Sequence, residues 1–267
     1  MKLLKTIRNL VFYLGLYTII QLLMGIVFGI VNFSSMQGMT TDEANTFMQG
    51  YIYTLTGIAA IFTLIIYAIV LKIRKRNIVK VCKFNKLGIK DGIYTMLISL
   101  GISILSCSLV TILQDKFEYN VGENLSNANN IVLTLFIAII LIPIFEEILF
   151  RGLIFNDLRS KYNIVVAVVI QGLIFGIMHG NIIQGIYTVI LGVILSMIYI
   201  WTDSIYACII GHTTYNLLGT LVVPNIFESI NEKIIYFLMI IGIIVIGIFC
   251  NIMYKNRKEL KMTTTNV

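Results

Sequence analysis

Charge is scarce in this chain. Asp, Glu, Lys and Arg make up 12% of its 267 residues, where a soluble globular domain carries about 25%. That shortage argues against a water-soluble domain and, with 58% hydrophobic residues and a mean hydropathy of +0.92, points to the membrane class. Cysteine is sparse and scattered: Cys82, Cys107, Cys208 and Cys250 form no CxxC and no close pair. A disulfide framework and a zinc knuckle are thereby excluded, and the thiols read as small apolar side chains. Ten-residue alternating segments are absent, which removes an outer-membrane barrel. No small-residue cleavage site comes after the apolar stretch Leu10–Val31, so that stretch reads as a retained first helix rather than a removed signal.

The chain does contain a succession of apolar runs of about 20 residues, the length of a spanning helix. Eight are expected, over 10–33, 51–72, 92–114, 131–157, 164–180, 183–201, 204–223 and 234–254. The expected fold is therefore all-α: a polytopic membrane protein, one integral domain over 1–267. Eighteen of the twenty lysines and arginines fall on one side of such a topology, with only Lys116 and Lys233 on the other. By the positive-inside rule both termini are then cytoplasmic, with a flexible tail over 255–267. The loops 34–50 and 115–130 are acidic or neutral. The net charge of +7 thus reflects orientation and not nucleic-acid binding. The Ile-, Asn- and Lys-rich composition is that of an AT-rich bacterium, and the expected location is its plasma membrane. Glycines at Gly25/Gly29 and Gly172/Gly176/Gly180 read as close helix packing.

Against this apolar background a few polar residues stand out. Glu146, Glu147 and Arg151 interrupt the run LTLFIAIILIPIFEEILFRGLIF, and the only two histidines, His179 and His212, also lie in apolar runs. Ionisable groups at that depth are expensive and line functional cavities. Three pairs are four residues apart, hence on one helix face each: Glu147 with Arg151, Phe175 with His179, and His212 with Asn216. Arg151 is placed to neutralise Glu147. Glu146 points about 100° away from it and is left as a base able to take a proton from water. His179 can share that water, and His212 and Asn216 can donate to an oxyanion as a peptide carbonyl is attacked. Phe175 reads as core packing. Pro143 removes the donor to the carbonyl of Ile139, which either opens room beside the carboxylates or is simply tolerated in a spanning helix.

The segments EEILFR, FGIMH and HTTYN resemble the three motifs of the CPBP family of intramembrane proteases, E-E-x-x-x-R, F-x-x-x-H and H-x-x-x-N. That family contains the CAAX prenyl proteases of the Ras-converting-enzyme type and the bacterial Abi proteins linked to bacteriocin immunity. The likeness covers a core of about residues 141–218. It implies eight helices around an intramembrane cavity, with Glu146 as base, His179 as its partner, and His212 and Asn216 as oxyanion stabilisers. It leaves open whether the enzyme is a metalloprotease. A zinc ion would need three protein ligands, for which Glu146, His179 and His212 are the candidates; no HExxH occurs, and a metal-free site driven by glutamate is the competing expectation.

The substrate class expected is a peptide or membrane-associated protein, cut during immunity or peptide maturation. Two other functions fit some of the same residues. A proton-coupled transporter uses buried Glu, His and Arg, but no internal repeat accompanies them. A non-catalytic immunity protein would act by contact alone.

Overall fold

The computed structural model describes residues 2–117, 127–227 and 229–257. Most of the loop expected over 115–130, and the tail from 258 on, lie outside the described residues. Among those described there is no strand. The helices are α1 (Lys2–Val31), α2 (Phe33–Met36), α3 (Thr41–Gln49), α4 (Ile52–Ile73), α5 (Ile78–Val81), α6 (Ile89–Phe117), α7 (Ile131–Arg159), α8 (Ile164–Ile177), α9 (Ile182–Thr202), α10 (205–227) and α11 (Glu232–Lys255).

Asparagine sets several of the starts. The side chains of Asn130, Asn163, Asn181 and Asn231 accept from backbone N–H groups in the first turns of α7, α8, α9 and α11. In a medium without water these orphan donors have few other partners. Asp203 closes α9 in the left-handed region (φ 53°), a conformation that Asp tolerates better than most.

Among the described residues six helical stretches are long and apolar enough to cross a membrane: Lys2–Val31, Thr41–Ile73, Ile89–Leu113, Ile131–Arg159, Ile182–Thr202 and Lys233–Lys255. The protein is thus a multi-pass helical membrane protein. The two further spans expected from the sequence exist as helices but differ from the six. Helix α8 stops at Ile177 rather than at residue 180, because Gly180 turns the chain with φ 70°. Its 14 residues reach only about 21 Å, short of the hydrocarbon thickness of about 30 Å. Helix α10 is long enough but carries His212, Thr213, Thr214 and Asn216. These two helices bring both histidines to the site. The stretch 34–50, expected as loop, contains α2 and α3; Thr40 and Glu43 form a complete capping box at the start of α3.

Backbones approach closely where glycine permits. A Cβ on Gly176 would stand 2.4 Å from Val189 Cγ2 and 2.7 Å from the Gly185 carbonyl, so α8 and α9 meet main chain to main chain. The Gly172/Gly176 spacing therefore packs as expected, whereas a Cβ on Gly25 or Gly29 would meet no other helix within 4 Å among the described residues. At one end of the bundle the basic segments gather. Lys83 pairs with Asp203, Asn9 donates to Asp157 at 2.8 Å, and Asn156 donates to Val81 O at 2.8 Å.

Three π turns interrupt these helices, at Ile137–Leu141 and Ile148–Phe155 in α7 and at Leu218–Val222 in α10. Pro143 stands just after the first of them, at the start of the α-helical turn that carries the two glutamates. A π turn adds a residue to the helix and shifts the register of every residue after it, and such turns concentrate at functional sites.

Candidate intramembrane polar site

The polar cluster is built from α7, the end of α8, and α10. On α7, between two π turns, Glu147 is fully buried while Glu146 keeps 18% of its side chain exposed. Successive helical residues diverge by about 100°, which accounts for the two environments. Arg151, also fully buried, donates from Nη1 to Glu147 Oε1 at 2.7 Å and from Nη2 to the Gly192 carbonyl at 3.2 Å. Its guanidinium carbon lies 4.6 Å from the centre of the Phe175 ring, a cation–π contact. The pairing of Glu147 with Arg151 expected from spacing is present.

His212 adds a link that spacing did not indicate. Its Nδ1 lies 2.7 Å from the same Glu147 Oε1, and its Nε2 lies 3.6 Å from Glu146 Oε2. One carboxylate oxygen thus holds both the guanidinium and the imidazole. Such charge-assisted bonds are short and strong, and they matter most where water cannot compete. The second oxygen, Glu147 Oε2, has no hydrogen-bond partner among the described residues.

His179 lies past the end of α8, in the turn before α9, and is half-buried. Its Nδ1 is 2.8 Å from the Phe175 carbonyl. A carbonyl only accepts, so Nδ1 carries the proton and Nε2 is the acceptor in the neutral ring. Phe175 is fully buried, as core packing requires. Its ring also forms a common wall: His179 stands edge-on at 4.9 Å, His212 at 5.7 Å and Phe150 at 4.8 Å between centroids. Both histidines therefore meet one aromatic ring, although no ion pair joins His179 to either glutamate among the described residues. An open groove of about 390 Å³ adjoins this turn, lined by Leu173, Gly176, Ile177, Gly180, Ile182 and Ile186 among others.

Asn216, one turn beyond His212, donates from Nδ2 to the Ala138 carbonyl of α7 at 2.9 Å. Behind Arg151 lies a pair that sequence reasoning missed. Gln171 is fully buried and accepts from Ser196 Oγ, which also donates to the Gly192 carbonyl at 2.9 Å. The signal was available: Gln171 precedes Phe175 by four residues in an otherwise apolar run, on the stripe that continues to His179.

The metal expectation can be tested on donors. His212 with Nδ1 on a carboxylate has the arrangement that usually leaves Nε2 for a metal. A catalytic zinc needs three protein ligands, however. Among the described residues no three His, Cys, Asp or Glu side chains are grouped to hold an ion. Glu146, His179 and His212 do not form a ligand set as they stand.

A buried carboxylate, guanidinium and imidazole, with a second carboxylate and a second imidazole at their edge, among apolar helices, define a membrane protein with an ionisable site between its helices. Residues 128–218, which contain all three motifs, match the family model of type II CAAX prenyl endopeptidases, Rce1-like. The resemblance of the motifs to the CPBP group is thereby shown over this segment. The chain is also similar to YdiL of Bacillus subtilis (strain 168), a protein named for a proposed membrane-peptidase activity. The two are 25% identical over 191 residues, 67% of this chain and 74% of that protein. No solved structure matches the chain.

Proposed function

We propose that this chain is an intramembrane endopeptidase that hydrolyses a peptide bond in a peptide or membrane-associated protein. The observation that carries the reading is the shared oxygen of Glu147. With Arg151 and His212 both held by Glu147 Oε1, the His212 ring is fixed and its Nε2 is turned toward Glu146. The family match and the relative support the hydrolytic class.

In this reading Glu146 takes a proton from water while the water oxygen attacks the peptide carbonyl carbon. His179 Nε2 accepts a hydrogen bond from the same water. As the carbonyl π pair moves onto oxygen, protonated His212 donates from Nε2 and Asn216 donates from its second N–H. Glu146 then passes its proton to the leaving nitrogen as the C–N bond breaks. Glu147 and Arg151 hold the frame and take no part in proton transfer. The reading carries a topology with it: eight membrane-crossing helices, a core over 141–218, and both termini and the 255–267 tail in the cytoplasm of a bacterium. Self-immunity against a bacteriocin and maturation of a peptide are two processes that such a cut would serve.

The test compares protein N-termini in membranes of cells that express the wild type, Glu146→Gln or His179→Ala at equal levels. New N-termini are expected with the wild type alone. If either variant produces the same set, the assigned roles are wrong.

A further inference from the structure

The chain contains two prolines, and both stand in one register relative to a π turn. Pro143 comes after Ile137–Leu141 and Pro224 after Leu218–Val222, each by two residues. In the first turn the Ile142 N–H reaches back to Ile137 O, and in the second the Val223 N–H reaches back to Leu218 O. The next carbonyls, of Ala138 and Gly219, thereby lose their α-helical donors. The donor that would serve them in the wider register lies five residues on, at positions 143 and 224, where proline has no N–H. Each turn thus leaves one carbonyl unserved by its own helix. In an apolar medium such a group must be met by protein.

Each is met from another helix. The Gly219 carbonyl faces Cys107 Sγ at 3.9 Å, a weak donor. The Ala138 carbonyl receives Asn216 Nδ2 at 2.9 Å. The second contact differs in kind, because Asn216 lies one turn from His212.

We propose that Pro143 and the π turn before it are a positioning element for Asn216. This rests on the proposed role of Asn216 as an oxyanion donor. An asparagine amide rotates about its terminal torsion unless one of its groups is tied. With one N–H on Ala138 O, the amide plane is fixed, and so is the direction of the second N–H. The same bond ties α10 to α7 at a second level, one turn along α10 from the bond between His212 and Glu147. The helix that carries the base and the helix that carries the oxyanion donors are then registered at two points. Proline at 143 keeps the acceptor for Asn216 alone. Alanine there would supply an N–H aimed at Ala138 O and compete for it.

The experiment is a double-mutant cycle of Pro143→Ala and Asn216→Ala, with Pro224→Ala as control. It uses the full chain in proteoliposomes, with a substrate identified from the N-terminus comparison. Pro143→Ala is expected to lower kcat by about tenfold with KM within about twofold, while Pro224→Ala leaves both unchanged. Asn216→Ala is expected to have a much smaller effect in the Pro143→Ala background than in the wild type. Independent, multiplying losses, or a loss carried by KM, overturn the inference. Thermal unfolding in detergent reads the contact without any activity. Asn216→Ala should lower the midpoint in the wild type and by less than half as much beside Pro143→Ala; equal shifts in both backgrounds overturn the inference. If the wild type cleaves nothing, the protease reading fails, and the unfolding cycle still decides the Ala138–Asn216 contact. Should Pro143→Ala not fold, Asn216→Leu replaces it, since that side chain keeps the size and has no donor for Ala138 O. It should lower the midpoint as Asn216→Ala does, and an unchanged midpoint overturns the inference.

Discussion

Nδ1 of His212 lies 2.7 Å from Oε1 of Glu147, the oxygen that already accepts from Arg151. Two helices are joined at that atom, and three ionisable groups depend on it. Removing one member of a buried ion pair leaves an uncompensated charge, at a loss of about 3–5 kcal/mol. Glu147→Ala should therefore lower the unfolding midpoint strongly, and Glu147→Ala combined with Arg151→Met should recover part of the loss. Thermal unfolding in mild detergent measures both. A single variant as stable as the wild type would contradict the geometry.

The neighbouring residue should behave in the opposite way. Glu146 is partly exposed, and its nearest charged contact is His212 Nε2 at 3.6 Å. Glu146→Gln should stay within about 1 kcal/mol of wild-type stability while cleavage disappears. Parallel unfolding and N-terminus measurements on the two glutamate variants separate support from chemistry.

Gly152 presses on the loop between α4 and α6. A Cβ there would meet Cys82 Sγ at 2.4 Å and Cys82 Cβ at 2.9 Å. Gly152→Ala should destabilise by about 1–3 kcal/mol through overpacking. Cys82→Gly in the same chain removes both obstructing atoms and should restore much of the loss. No recovery in the double variant would show that the strain lies elsewhere.

Cys82 itself should resist modification. Burial pushes its thiol up to about 12, outweighing the opposite pull of Arg76. Its neutral form is favoured below that value, so the thiolate rises about tenfold per pH unit until the pH approaches it. In a chain with the other three cysteines replaced by alanine, maleimide labelling at pH 8 should be very slow when folded and fast after denaturation. Rapid labelling of the folded protein would refute the burial.

The sequence announced the helical membrane architecture and the pairing of Glu147 with Arg151, because both arise from periodicity along one chain. It did not announce the bond between Glu147 and His212. Spacing within a helix says which residues share a face, but not which faces of different helices meet. The short reach of α8 was partly legible, since 164–180 is the shortest of the eight expected spans; the stop at Ile177 was not, because the left-handed turn at Gly180 lies just beyond it. The capping box at Thr40 and Glu43 was readable as T-x-x-E and marked a helix inside the supposed loop 34–50. The π turns had no such signature. The one nearest the glutamates is marked only by Pro143, one turn ahead of Glu147, which equally fits an ordinary tolerated kink.

The ties between α7 and α10 are made by polar atoms, not by contact with lipid. A thinner or thicker bilayer changes the tilt of helices that face the acyl chains, at fractions of a kcal/mol per ångström of mismatch. Helices α1 and α11, each only 11% buried over their apolar windows, will take up that change first. The distance between Glu146 and Asn216 should hence be nearly indifferent to the acyl length of the surrounding lipid.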